Sequence, residues 1–291
     1  MIDYKWKSFL TVVEEGTLAK AGEKLGLTQP AISQHLKGLE EHYGQPLFNH
    51  KGRTLVLNEV GTIVKEQALI AEIAEKRALK QMESLLSGRS KYCIGATLTV
   101  GEFILPSYVG RYYQAYRNRD VTISIANTVS ILEQLKRGKI DLALIEGPFN
   151  RKEFKQTHFM TDEMIFIASK ETLPLHIPYI DEDTLSHNRL ILREIGSGTR
   201  YYWDEYEKEK HLTVLGDEQI IEVGSLSAIK SLVEAGYGCS IMSKKAVEKE
   251  LSLGSIVTKP FKWGPLMREI YFVYTKESPS AFIEEFIRFC T

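Results

Sequence analysis

Between Ile2 and Gly61 the chain reads IDYKWKSFLTVVEEGTLAKAGEKLGLTQPAISQHLKGLEEHYGQPLFNHKGRTLVLNEVG. Trp6, Phe9, Leu10 and Val13 recur at helical spacing, which predicts a first helix from about Asp3 to Glu15 with Asp3 as its cap. Thr17 caps a second helix in which Leu18, Ala21 and Leu25 face inward while Lys20, Glu23 and Lys24 face out. The small pair Ala21-Gly22 lets the following helix cross closely. Gly26-Leu27-Thr28 makes a tight turn, its glycine free to take a left-handed conformation. Thr28 caps a third helix, and Pro30 in its first turn removes an N–H that has no intrahelical acceptor there.

Along the third helix Ile32, Leu36, Leu39 and Tyr43 form the inward stripe, leaving Gln29, Pro30, Ser33, Gln34 and Lys37 on the outer face. Leu47-Phe48 then anchors a hairpin whose second strand is Thr54-Leu55-Val56-Leu57, with Lys51 and Arg53 at or near its tip. This is the layout of a winged helix-turn-helix, an N-terminal all-α unit with a β wing that sets one helix in the DNA major groove. Thr28, Gln29, Pro30, Ser33, Gln34 and Lys37 are the expected DNA contacts on the helix, where short polar groups and glutamines suit both base edges and phosphates. Lys51 and Arg53 are the expected contacts on the wing, which reaches an adjacent minor groove or phosphate. Taken singly, Ser33 or Gln34 reads more readily as an ordinary solvated position; the turn, the cap and the wing together favour the DNA reading. Bulk charge adds nothing: residues 1–60 carry seven Lys and Arg against seven Asp and Glu, so attraction to phosphate has to come from arrangement.

At these residues the chain resembles the LysR-type transcriptional regulators, through FLTVVEEGTLAKAGEKLGLTQPAISQHLKGLEEHYGQPLF followed by GRTLVLNEVG. The family often has Leu-Thr-Glu-Ala-Gly after the wing, where this chain has Leu57-Asn58-Glu59-Val60-Gly61, and commonly a basic residue where His35 stands. Asn58 retains the ability to cap the next helix, whereas the His35 change bears on which DNA sequence is preferred.

The rest of the composition is that of an ordinary globular chain: 291 residues, 43% apolar and a formal net charge of -1 allow two or three domains. No run of about eighteen apolar residues is present to span a membrane, and the amphipathic, acid-bearing N-terminus does not read as a signal peptide. Cys93, Cys239 and Cys290 are far apart and lack C-x-x-C spacing, so they read as thiols in a reducing cytoplasm. A redox-sensor role is the less favoured reading. The seven histidines show no metal-ligand spacing, and neither metal nor cofactor is expected.

From Asn58 to about Ser87 there is no proline, and Val60, Ile63, Val64, Ala71, Ala74, Ala78, Met82 and Leu85 recur at helical or near-heptad spacing. A helix of about 28 residues extends for about 42 Å, too long to be buried in one small domain. Its apolar stripe calls for a partner, either a second copy of itself or its own C-terminal domain. The family resemblance implies the former: a homodimer through paired linker helices, and a tetramer built from dimers. Domain boundaries follow as 1–58 for DNA binding, 59–88 for the linker helix and 89–291 for the remainder.

Beyond Lys91 strands alternate with helices. Tyr92–Ala96, Val121–Ile125 and Asp141–Ile145 read as strands, separated by helices over Gly101–Tyr116 and Ile131–Arg137, which implies a parallel sheet. A second run has strands near Met164–Ala168, Arg189–Leu192, Gln219–Val223, Ser240–Met242 and Ile256–Pro260. Its helices lie near Gly198–Glu209, Ser225–Ala235 and Lys244–Leu251. Glu269–Tyr274 and Ala281–Phe289 return to the first half. Two α/β lobes result, lobe I about 91–161 with 268–291 and lobe II about 162–267. Crossovers near Met160–Glu163 and Pro265–Arg268 allow closure on a ligand by hinge motion.

Open sheets of this kind bind ligands at strand carboxyl ends, where helix N-termini offer free N–H groups. Three loops fit: Thr97, Thr99 and Val100 after the first strand, Thr128 and Ser130 at the second helix, and Ser197, Gly198 and Thr199 in the Gly-Ser-Gly-Thr-Arg string. Ser225 is a fourth candidate, and Arg193 or Arg200 could supply positive charge to an anion. Plain helix capping also selects Ser and Thr at such places. The resemblance adds that the regulatory domains of this family look like periplasmic binding proteins and hold an effector between two lobes. The Gly-Ser-Gly-Thr-Arg string with Val223-Gly224-Ser225 looks like the branch that includes sulfur-metabolism and carbon-fixation regulators.

The reading is therefore a cytoplasmic DNA-binding regulator of promoter DNA, controlled by an anionic small-molecule effector. A solute-binding protein would share the two lobes but not the N-terminal unit. An enzyme is disfavoured because no Ser-His-Asp, Cys-His or paired-carboxylate arrangement stands out.

Overall fold

The computed structural model describes residues 3–51, 54–174, 176–212 and 219–291, excepting the side chains of His50 and Lys51. The chain divides into two compact units, 1–88 and 89–291.

In the first unit α1 (Tyr4–Glu15), α2 (Leu18–Leu25) and α3 (Gln29–Tyr43) precede a hairpin of β1 (Phe48–Lys51) and β2 (Thr54–Leu57), and α4 (Glu59–Ser87) follows. Each of the first three helices starts where its sequence offers a cap: Asp3 accepts from Lys5 N, Thr17 from Lys20 N and Thr28 from Ala31 N. Phe9, Val12, Ala21, Ile32, Leu36, Leu39, Leu47 and Phe48 form the core, joined by Val64 and Ala68 of α4, while Tyr43 is only partly buried. The wing is tied down at its base, since Leu55 N donates to Gly16 O over 2.9 Å and Leu47 N to the Glu40 carboxylate over 2.9 Å.

α4 begins with Asn58 accepting from Gly61 N at 2.7 Å, while Asn58 Nδ2 donates to Pro46 O at 2.7 Å. The cap is thus also a clamp on the chain leaving α3. Gly61 lies flat against the Leu47 carbonyl, which a β-carbon would strike. After Ile73 the helix loses its cover, and Leu79, Met82, Leu85 and Leu86 lie exposed, Leu86 at 89%.

The second unit is organised by one eight-stranded sheet in the order β4-β3-β5-β10-β6-β9-β7-β8. β3 (Ser90–Ala96), β4 (Arg119–Ile125) and β5 (Leu142–Glu146) are parallel and belong to lobe I, with α5 (Leu105–Ala115) and α6 (Thr128–Lys136) between them. The helix expected over Gly101–Tyr116 opens with a π-helical turn, Val100–Ile104, before α5. Lobe II holds β7 (Leu190–Leu192), β8 (Ile220–Glu222) and β9 (Cys239–Ser243), also mutually parallel. Its helices are α7 (Glu182–Ser186), α8 (Gly198–Glu209), α9 (Leu226–Glu234) and α10 (Glu248–Leu253). The strand expected at Ile256–Pro260 is not formed; Val257 and Phe261 make only isolated bridges, to Ala168 and Ile180.

The connections between lobes also differ from expectation. β6 (Lys155–Ile167) and β10 (Leu266–Tyr274) are long strands running through both crossovers, and they pair antiparallel along the whole of β10. β10 then pairs with β5 on its other side, and β6 with β9. A one-residue bulge at Phe159 shifts the register between Met160↔Ile270 and His158↔Tyr271. α11 (Ser280–Cys290) returns to lobe I and buries Phe282, Ile283 and Phe286 there. Leu98 and Phe103 of lobe I pack on the apolar cluster of lobe II around Ile165, Met242 and Val247.

Two glycines give opposite expectations. Gly61→Ala should destabilise by about 1–3 kcal/mol through overpacking against Leu47 O. Gly110→Ala, at an exposed site of α5 with open space around it, should stabilise by about 0.5–1 kcal/mol. Urea unfolding of both variants beside the parent protein checks the signs.

Candidate functional site

The outer face of α3 is built by the turn before it. Gly26 adopts φ 66°, and Leu27 N donates to Gly22 O over 2.9 Å, bringing α2 and α3 together at Gly22. With Ile32, Leu36 and Leu39 buried, Thr28, Gln29, Pro30, Ser33, Gln34 and Lys37 are all exposed on one side. Lys37 lies 3.7 Å from Glu41, an exposed pair worth little. His35 is turned the other way: its Nδ1 and the buried Ser8 Oγ share a 2.7 Å hydrogen bond. The imidazole therefore braces α3 on α1. Lys51 ends β1, its side chain being outside the described residues, as is Arg53.

The second region lies between the lobes. Thr97, Thr99, Val100, Thr128, Ser197, Gly198 and Thr199 are all buried. Three of them, Thr97, Thr128 and Gly198, converge on a residue that the sequence reading passed over, Glu146, the last residue of β5. Its carboxylate accepts from Thr97 Oγ1 through a short hydrogen bond, and its main-chain carbonyl accepts from Thr128 Oγ1 at 3.1 Å. Gly198, at the start of α8 in lobe II, lies so close to the Glu146 carbonyl that a β-carbon would not fit.

The positive charge comes from Arg268 on β10, fully buried. Its Nε donates to Asp162 Oδ2 at 2.8 Å, and its Nη1 donates to Thr199 Oγ1 at 3.0 Å and lies 3.5 Å from Glu146 Oε1. Nη2 is 2.8 Å from Asp162 Oδ2 as an ion pair yet makes no aligned hydrogen bond. Asp162 stands directly across the β6–β10 ladder from Arg268 and also accepts from Ser243 Oγ at 2.8 Å. Thr97 and Glu146 of lobe I, Asp162 and Arg268 of the crossing strands, and Thr199 and Ser243 of lobe II thus form one polar network.

Ser130 and Ser225 do not join it. The Ser130 hydroxyl accepts from Gln134 Nε2 at 3.3 Å on its own helix, whereas Ser225 is exposed and caps α9 through Ala228 N. The arginines expected to supply charge are committed locally. Arg193 is held by both carboxylate oxygens of Glu194 at 2.7 Å, and Arg200 by Asp204 at 2.7 Å. Glu146 had one legible signal, its place at the carboxyl end of a parallel strand. Arg268 had none, because the register that opposes it to Asp162 is not a local property.

The sequence profile described as the LysR substrate binding domain matches residues 87–291, and that of the bacterial regulatory helix-turn-helix proteins of the lysR family matches residues 5–62. The chain belongs to the LysR family of transcriptional regulators. It is 30% identical over 283 residues to the HTH-type transcriptional regulator YeiE of Escherichia coli, covering 97% of this chain and 94% of that one. To the HTH-type transcriptional activator CmpR of Synechocystis it is 28% identical over 287 residues, covering 97% and 92%. A full-length OxyR variant from Pseudomonas aeruginosa shares the fold with a TM-score of 0.66, at 20% identity over 100% of this chain and 94% of that one. A family of regulators with a DNA-binding head and an effector-binding domain accounts for both regions, without enzymatic chemistry. No helix among the described residues is long and apolar enough to cross a membrane.

Two measurements probe the second unit. Arg268→Met leaves Asp162 and Glu146 buried without their counter-charge and should cost about 3–5 kcal/mol in urea unfolding. Burial pushes the Cys239 and Cys290 thiols up to about 12, which leaves little thiolate at neutral pH. Both should resist iodoacetamide in the folded protein and react after unfolding, as mass spectrometry would show; rapid labelling of buried Cys239 in the native protein would revive a redox role.

Proposed function

We propose that this LysR-type regulator reads operator DNA with the N-terminal half of α3, and that an anionic small molecule taken up between the two lobes controls that reading. The observation that carries the first part is the exposed polar side of α3, rigidly set by a buried opposite side and by the His35–Ser8 brace. Thr28, Gln29, Pro30, Ser33, Gln34 and Lys37 meet base edges and phosphates there, and Lys51 and Arg53 extend the contact from the wing. The cleft supports the second part: Thr199 meets the buried Arg268 guanidinium, Thr97, Thr128 and Gly198 meet its neighbour Glu146, and Thr99, Val100 and Ser197 are buried on the same loops, so hydroxyl donors accompany a fixed positive charge. Ser130 and Ser225 play no part in it.

The functional divisions are residues 1–58 for DNA, 59–88 for self-association and 89–291 for the effector, lobe I being about 91–161 with 268–291 and lobe II about 162–267. Leu79, Met82, Leu85 and Leu86 of α4 give a second copy of the chain an apolar stripe to cover, and two heads then address two half-sites. Dimers pair into tetramers, and the protein works in the cytoplasm, beside its DNA. Effector binding acts by favouring one arrangement of lobes over another.

Gel shifts on the DNA upstream of the neighbouring divergent gene should show Lys37→Ala weakening binding on all sequences and lowering the salt slope by about one. Gln34→Ala should instead cost about 1–3 kcal/mol at a single base position. Parent-like binding by both variants would place the reading face elsewhere. Footprints with and without candidate metabolites test the control; a footprint unmoved by any of them would overturn effector control.

A further inference from the structure

We infer that Glu146 is a built-in occupant of the effector cleft, an internal carboxylate that an oxyanionic effector displaces. This rests on the reading of the cleft as the effector site and adds what the effector has to replace. An oxyanion at the end of β3 would be recognised by the Thr97 hydroxyl and the Arg268 guanidinium, and both are turned to the Glu146 carboxylate. Two carboxylates, Glu146 and Asp162, share that one guanidinium in a region where Glu146 is 2% and Arg268 1% exposed. A further negative charge entering beside both would meet uncompensated repulsion at low effective dielectric. An anion therefore enters as the Glu146 side chain leaves, taking over Thr97 Oγ1 and Arg268 Nη1 and adding the unaligned N–H groups of Nη2.

The exchange is connected to the lobes through the main chain of the same residue. The Glu146 carbonyl accepts from Thr128 in lobe I and abuts Gly198 in lobe II, so a shift of Glu146 is felt at the lobe contact. The ligand class that follows is a small carboxylate or inorganic oxyanion; a cationic ligand would instead use Glu146 as its partner and need it in place.

The test uses the full chain with sodium acetate and sodium sulfate as probes, at constant ionic strength set with sodium chloride, read by calorimetry and melting temperature. Glu146→Gln removes the competing charge while keeping the shape, and should bind one or both anions roughly 10- to 100-fold more tightly than the parent protein. Adding Thr97→Val should remove that gain. If Glu146→Gln proves unfolded by circular dichroism, Glu146→Asp, which draws the carboxylate back by one methylene, should show a smaller gain of the same sign. Equal anion affinity in variant and parent would overturn the inference, as would a gain that persists in the Thr97→Val background. So would binding of methylamine to the parent that Glu146→Gln abolishes. The two readings fail separately: tight anion binding by Glu146→Gln with an unmoved footprint defeats effector control alone, while a metabolite-dependent footprint without any anion gain defeats the Glu146 exchange alone.

Discussion

Arg268 and Asp162 face each other across the two strands that join the lobes, and the second unit depends on that pair. A fully buried guanidinium is tolerated only when its charge is met, and here the Asp162 and Glu146 carboxylates and the Thr199 hydroxyl surround it. Those partners come from the crossing strands, lobe II and lobe I respectively. The charge that would otherwise forbid burial thereby makes the crossing of the lobes a specific place. A pair of apolar residues would fill the same space without directed bonds to both lobes.

The first unit meets a different constraint, that of presenting a polar helix face without losing its position. Hydrogen bonds rather than charge do this. Thr28 starts the helix, Glu40 near its end fastens the wing through Leu47 N, and His35 links its middle to Ser8. A family member with a basic residue at position 35 would have a cation where this chain has a brace.

What was legible in the sequence follows the range of the interactions involved. Helix starts at Asp3, Thr17, Thr28, Asn58 and Ser197 are decided within three residues, and the residues say so. Strands β3, β4 and β5 announce themselves by apolar runs. The N-terminal half of β6, Lys-Gln-Thr-His-Phe-Met-Thr-Asp-Glu, carries no such run, because it is held by its neighbour: Thr161 Oγ1 donates to Glu269 and His158 contacts the same carboxylate. The polar network was half legible for the same reason. Its threonines sit at helix starts that capping already marks, whereas Glu146, Asp162 and Arg268 acquire meaning only once three strands lie side by side.

The bulge at Phe159 has a further consequence. Side chains alternate along a strand, so one extra residue reverses which of them face a given side beyond that point. Phe159 and Met160, at the bulge, both pack on the lobe I core, whereas beyond it β6 is buried on both faces in lobe II, Met164 and Phe166 on one and Ile165 and Ile167 on the other. The strand behaves as a counting device. Insertion or loss of a single residue between Lys155 and Asp162 would turn one lobe's share of the strand inside out while leaving the other untouched. Length variation among relatives should therefore be tolerated in β6 only in twos, even though the segment's composition, polar and unpatterned, would suggest a freely variable connection.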